Sequence, residues 1–374
     1  MFVTENIASA PACVAGRFDG LAADHDWRAP LVLTCGEAGS SRRHRSSRSG
    51  GKAWLLRKIH TASDIAFRGG VFWRWRKAAE REFDAILRTF EPEIAYATFG
   101  NLDALNVARD LARRGRIPWV MDIKDPLPAF VPRSLRGLVR IRYADAAAVT
   151  FNSAFQREVS GKVIRRTGPV VYSGADVADP SSLAGTDAAT IDGPFFSLVG
   201  SIYSDANALT FLDTFVTFAR ARHGEGRPEP QLHYFGGDHV RVRSLWERLG
   251  RPRSVVIGEA IPRMSLLALC RRARANCYLA SNRTFHHKLL ELLAAGRPVI
   301  AFPMEWDESV DIARSAHATL RVCRTPAALR EAWSHASDTS DEPARAGLGA
   351  ALGWPRFTLE LEQILAHSRS IAHG

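Results

Sequence analysis

The stretch from Phe285 to Phe302, FHHKLLELLAAGRPVIAF, decides how the chain folds. Leu289, Leu290, Leu292 and Leu293 predict a helix packed around most of its girth. Ala294 and Ala295 continue it, and Gly296 is the residue type that closes helices in the left-handed conformation. Beyond Pro298, Val299-Ile300-Ala301-Phe302 reads as a strand buried on both faces, the kind found in parallel sheets. Two charges interrupt the apolar helix. Lys288 and Glu291 are three residues apart and share a face; taken alone, they read as a surface ion pair worth about half a kcal/mol.

Outward from this stretch, strands and helices alternate with short loops. Upstream, Phe195–Val199, Leu232–Phe235, Val255–Ile257 and Ala275–Leu279 are strands, with helices over 207–222, 240–249 and 264–273 between them. Downstream, helices over 307–315 and 325–336 flank strand Ala318–Val322. Residues 338–349 are small and polar, and Trp354 opens a last helix. The first half follows the same plan. Ile94–Thr98, Pro118–Met121 and Ala146–Phe151 are strands; Asn101 caps one helix and Gly115 stops it, a second runs over 133–144, and Asn152-Ser153 cap a third. Val170–Asp176 closes this half, and 177–193 has neither period, so it reads as a linker. Nearer the start, Met1–Thr4 and Leu31–Thr34 are short strands, 11–23 a helix, 36–51 a Gly/Ser/Arg loop and 71–89 a helix. The class is α/β, with parallel sheets covered on both faces. Ligands of such sheets bind off the carboxyl ends of the strands. That places Phe99, Gly100, Asp122, Lys124, Asp125 and Asn152 on one rim, and Gly200-Ser201 on the other sheet's.

At 374 residues the chain has room for two domains, and 46% hydrophobic with 24% charged residues is a globular composition. The five cysteines are odd in number and show no Cys-x-x-Cys, which argues for a reducing compartment and against structural zinc or a disulfide framework. No apolar run spans a membrane and no leader is visible, so the cytoplasm is expected. The net charge of +11 is local: residues 42–82 hold twelve Lys/Arg against three Asp/Glu. Trp54, Trp73 and Trp75 lie among these cations, a mixture suited to an anionic membrane surface, and equally readable as a solvated loop with its tryptophans in the core. Nucleic acid is not an expected partner.

His-Glu-x-x-His, a cysteine cluster, Gly-x-Ser-x-Gly and Gly-x-Gly-x-x-Gly are all absent, which argues against a zinc site, serine-hydrolase chemistry and nicotinamide binding. Gly200 ahead of a helix is a weak signal for an anion.

The central stretch resembles the donor-nucleotide helix of the retaining glycosyltransferases of family 4. The similarity covers about 92–367 and is strongest over 195–302. It implies the GT-B fold, two Rossmann-like domains facing across a cleft: 1–178 for the acceptor, 190–350 for the nucleotide sugar, and a helix at about 355–368 packing back on the first. By that resemblance Glu291 holds the ribose hydroxyls and Lys288 lies near the diphosphate, with Gly200, Ser201, Arg283, His287 and Leu290 completing the donor site. Asp122, Lys124 and Asp125 are the catalytic candidates, touching the transferred sugar or the acceptor. The chemistry agrees, since a carboxylate accepts from vicinal hydroxyls and an ammonium suits a phosphate. The sequence departs from the family in two places. Ser201 stands where an arginine follows the glycine, with no lysine over 204–207, and Arg283 stands where a glutamate is usual. Arg283, Lys288 or Lys124 would then supply the charge.

The implied activity moves a sugar, with retention, from a UDP- or GDP-linked donor to a cell-envelope glycan or lipid-linked acceptor. It needs no metal or further cofactor, and stabilising the departing diphosphate is the main task. The implied setting is polysaccharide biosynthesis, in the cytoplasm or against the inner face of the plasma membrane through residues 42–82. A GT-B sugar epimerase and a non-catalytic scaffold in an envelope-assembly complex are the alternatives.

Overall fold

The computed structural model of the protein describes residues 2–3, 32–33, 51–175, 191, 193–339 and 348–373. The helix expected over 11–23, the loop over 36–50 and nearly all of the linker lie outside them, as does most of the polar segment 338–349. The chain divides into two compact units, Met1–Ser173 with Trp354–Gly374, and Gly174–Gly353.

Unit 1 runs β1 (Phe2–Val3), β2 (Val32–Leu33), α1 (Gly51–Arg68), α2 (Trp73–Thr89), β3 (Ala95–Phe99), α3 (Leu102–Gly115), β4 (Trp119–Ile123), α4 (Leu127–Phe130), a 3-10 turn (Arg133–Leu135), α5 (Arg136–Arg142), β5 (Ala148–Phe151) and α6 (Ala154–Ile164). Its sheet is parallel, in the order β2-β1-β3-β4-β5. Every residue of β4 is buried, as a strand covered by helices on both faces must be. Local chemistry sets the helix starts. Asn101 Oδ1 accepts from Ala104 N at 3.0 Å and Ser153 Oγ from Gln156 N at 3.1 Å, each satisfying an otherwise orphaned donor.

Several expectations for this unit need correcting. Gly51 opens a helix rather than closing a loop. The helix expected over 133–144 is broken into a 3-10 turn and a shorter helix ending before Tyr143, whose hydroxyl donates to Leu102 O (3.2 Å) and Asn106 Oδ1 (3.0 Å). The left-handed residue after α3 is Arg116 (φ 53) and not Gly115. Gly115 is needed for space, because a Cβ there would lie 2.5 Å from Leu87 Cδ2. Where this half closes, Val170 makes an isolated bridge to Phe151 and Ala175 one to Gly353, and Pro169 offers the ladder no N–H.

Unit 2 runs β6 (Phe195–Val199), α7 (Asp205–Gly224), β7 (Gln231–Phe235), α8 (His239–Arg248), β8 (Val255–Gly258), α9 (Arg263–Arg272), β9 (Asn276–Leu279), α10 (Lys288–Ala294), β10 (Val299–Phe302), α11 (Asp307–Ser315), β11 (Leu320–Val322), α12 (Pro326–Asp338) and α13 (Leu348–Leu352). The six strands are parallel in the order β11-β10-β9-β6-β7-β8. An aromatic cluster fills one face, with Trp333 between Phe211 (5.1 Å) and Phe215 (5.0 Å), both edge-on, the arrangement ring quadrupoles favour. Leu289, Leu290, Leu292 and Leu293 are buried as their spacing requires, and Gly296 has φ +77. The helix carrying them is short, however. It begins at Lys288, and Phe285 and His286 are buried ahead of it in a loop.

The last helix, α14 (Trp354–His373), belongs to unit 1. It packs against β4, sets Phe357 edge-on to Tyr172 at 5.8 Å and pairs Arg369 with Glu93 at 2.9 Å. Among the described residues, no helix is long and apolar enough to cross a membrane.

Candidate functional site

The strand order of unit 2 locates its site. From β6 the chain moves outward to β7 and β8, then crosses back to β9, β10 and β11 on the other side. The topological switch therefore falls between β6 and β9, and ligands of open parallel sheets bind at the carboxyl ends of such a pair. The two loops that leave this point are Gly200–Ser204 and Ala280–His287. They meet through the rings of Tyr203 and His286, 5.6 Å apart.

The first loop has a glycine because the chain turns with φ +103 at Gly200, a conformation that penalises a side chain. Gly200 O accepts from Tyr234 OH at 2.9 Å, and Asp238 Oδ2 accepts from Ile202 N at 2.7 Å. Burial and the Asp238 carboxylate push the Tyr234 phenol up to about 12, so it stays a donor. Arg241 donates to Ile202 O and pairs with Asp205 at 2.5 Å. Thus the cation beside this loop comes from α8, while Ser201 itself is exposed.

The second loop is built on a buried network. Glu305 Oε2 accepts from Tyr278 OH and lies 3.2 Å from His286 Nδ1; its Oε1 accepts from Trp306 N (2.8 Å) and Ser309 Oγ (3.0 Å). His286 Nε2 accepts from Ser281 N at 2.9 Å, so the ring proton belongs on Nδ1, facing the carboxylate. Burial pushes the Glu305 carboxyl up, but His286, Tyr278 and the Trp306 N–H together outweigh it and hold the group below the usual carboxylate range. The Tyr278 phenol is pushed far up, first by burial and then by Glu305. Trp306 Nε1 also donates to Thr284 O at 3.2 Å. The loop is thereby pinned from inside while Asn282 and Arg283 face solvent.

Arg263 opens α9 and Lys288 opens α10, so both lie at the rim where the strands end. Between them sits Glu291. Its Oε1 is 3.0 Å from Arg263 Nη2 and its Oε2 is 2.5 Å from Lys288 Nζ. The three line a small open depression together with Leu266, Leu267, Cys270 and Leu292. Burial pushes the Cys270 thiol up to about 12, so it is neutral.

The other residues singled out in the sequence are placed as follows. His287 is half-buried with its ring 5.2 Å from that of Phe285, and the Leu290 side chain is wholly buried, leaving it no surface for a ligand. In unit 1, Asp122 is 1% exposed and accepts from Thr150 Oγ1 at 2.7 Å across the β4–β5 pairing. Lys124 and Asp125 are half-buried at the end of β4, with Asn152 Nδ2 donating to Lys124 O at 2.8 Å. Burial pushes the Asp125 carboxyl up and the Lys124 ammonium draws it back in part. Arg263, Arg241 and the Tyr278–Glu305–His286 network were not singled out in the sequence. Glu305 could have been, since it follows β10 as Asp125 follows β4.

No protein-family model matches the sequence, and no curated protein matches it. Solved structures do. HepE from Anabaena, in complex with UDP, matches with a TM-score of 0.63 and 15% identity over 98% of this chain and 99% of its own. An α,α-trehalose-phosphate synthase (UDP-forming) from Burkholderia vietnamiensis matches at 0.60 and 14%, covering 99% of both chains. The UDP-GlcNAc 2-epimerase of Methanocaldococcus jannaschii matches at 0.59 and 11%, over 98% of this chain and 99% of its own. Identities this low carry the fold: the chain is a GT-B protein, two Rossmann-like units each built on a parallel sheet.

Proposed function

We propose that this protein is a glycosyltransferase of the family 4 retaining kind, using a UDP- or GDP-sugar and an envelope glycan or lipid-linked acceptor. The observation that carries this reading is the Glu291 carboxylate at the carboxyl rim of the unit 2 sheet, flanked by Lys288 and Arg263. A carboxylate accepts from two vicinal ribose hydroxyls, and cations beside it suit the phosphates. Of the structures matched above, one is in complex with UDP, one is a UDP-forming synthase and one is an epimerase named for a UDP-sugar, which supports the same ligand class. Chemistry at the sugar falls to charge stabilisation on the departing diphosphate, for which Lys288, Arg263 and Arg283 are the donors at this rim. On the acceptor side the proposal keeps Lys124 and Asp125, whose side chains are partly open. Asp122, committed to Thr150, has a supporting part behind them.

Epimerisation of the nucleotide sugar is the second reading, favoured by the match to a 2-epimerase at a TM-score close to the synthase's. Incubation with a nucleotide sugar, with and without lipid-linked acceptor, separates the two. Transfer is expected to give nucleoside diphosphate only when acceptor is present; a new nucleotide sugar formed without acceptor supports epimerisation and overturns transfer.

The proposal extends to the membrane surface. Phe67 is 88% exposed, and the guanidinium groups of Arg68 and Arg74 lie 5.2 and 5.4 Å from the Trp73 ring, a cationic and aromatic mixture suited to headgroups. Co-sedimentation with anionic phosphatidylglycerol vesicles is expected, falling several-fold for Phe67→Ser and in high salt. Equal binding to neutral vesicles would remove the cationic attraction from the account, and binding to neither would remove the membrane from it.

A further inference from the structure

Each oxygen of Glu291 is engaged by a different cation, Oε1 by Arg263 and Oε2 by Lys288. These are the same two oxygens that a pair of ribose hydroxyls would need. The three side chains are 24–36% exposed and the depression they line is open. Pairs this accessible contribute little to stability and are readily exchanged. Beneath them the lining is Leu266, Leu267, Leu292 and the neutral thiol of Cys270.

We infer that Arg263–Glu291–Lys288 is a self-paired latch that opens by exchange: ribose hydroxyls take the carboxylate, and the released Arg263 and Lys288 take the diphosphate. This rests on the nucleotide reading of the site and adds to it. It assigns Arg263 a phosphate-binding part, and it makes the phosphates a condition of tight nucleoside binding. A nucleoside without phosphate competes with two ion pairs for the carboxylate and offers the cations no anion in return. A nucleoside diphosphate replaces one anion by another carrying more charge and more acceptor oxygens. Arg263 suits this because its planar fork engages phosphate oxygens in pairs, whereas Lys288 acts as a point charge. It also gives the rim a phosphate-binding cation from the start of α9, where Ser201 offers none.

Salt has opposite effects on the two ligands. Screening loosens the latch, which favours a neutral nucleoside, and weakens cation–phosphate attraction, which disfavours a diphosphate.

The test is a titration of the full chain with UDP, uridine, GDP and guanosine, by calorimetry for the diphosphates and NMR for the nucleosides. Wild-type protein is expected to prefer the diphosphate of one base over its nucleoside by roughly a hundredfold or more. Raising salt should lower the first affinity and not the second. Arg263→Gln, with its melting temperature checked, should weaken the diphosphate about tenfold while the nucleoside binds at least as tightly. Equal losses for both ligands in the variant, or salt effects of the same sign in the wild type, would overturn the exchange and leave the nucleotide reading standing. Failure of the wild type to bind any of the four would overturn both.

Discussion

Replacing Glu291 by alanine is expected to weaken UDP or GDP binding roughly 30-fold, about 2 kcal/mol, while inorganic pyrophosphate binds no less tightly. The carboxylate is the acceptor for the ribose, and hydrogen bonds to a charged group contribute about 1.5–3 kcal/mol each. Removing it also frees Arg263 and Lys288, which now sit 3.0 and 2.5 Å from its oxygens. The freed cations attract phosphate more strongly, so part of the loss is offset and the net effect falls at the low end. The divergence between the two ligands is the informative result. A parallel loss of pyrophosphate would mean the variant has disturbed the rim as a whole, and unchanged UDP and GDP affinities would remove Glu291 from the site.

Glu305→Ala is expected to destabilise unit 2 by about 3–5 kcal/mol, read as a fall in the urea midpoint. Its side chain is fully buried beside His286, and four groups converge on it: Tyr278 OH, His286 Nδ1, Trp306 N and Ser309 Oγ. Alanine would leave these without their acceptor in a space that water reaches poorly. The effect should depend on pH. The folded state holds the Glu305 carboxyl below its ordinary value, so its contribution is fully present above about pH 4.5 and is lost as pH falls through the lowered value. The gap between wild type and variant should therefore be widest near neutrality and narrow in acid. A variant as stable as the wild type at pH 7 would show that the network is not what pins the loop of residues 280–287.

Much of the fold was legible because period and punctuation agree in this chain. Val299–Phe302 had the apolar run of a doubly covered strand, and the structure pairs it on both sides, with β9 and β11. Lys288 and Glu291 were placed on one helical face by their spacing alone, and they meet. What escaped depended on contacts far apart in sequence. The leucine spacing does not show where the helix starts, because nothing local reveals that His286 is held ahead of it by Glu305 and Ser281. Gly115 carried the signal of a helix stop, yet the glycine answers Leu87 on another helix. Arg263 carries no motif, and its bearing on Glu291 appears only once α9 and α10 lie side by side. Asp122 looked like a rim carboxylate because strand ends cannot be placed to the residue from sequence; one position further inside the sheet, it meets Thr150 instead.

The most direct measurement is the melting temperature of the intact protein across a panel of UDP- and GDP-sugars at millimolar concentration. A ligand that binds only the folded state raises it. The account predicts a rise with the sugars of one base, reduced in Glu291→Ala; a melting temperature unmoved by every member of the panel would contradict it.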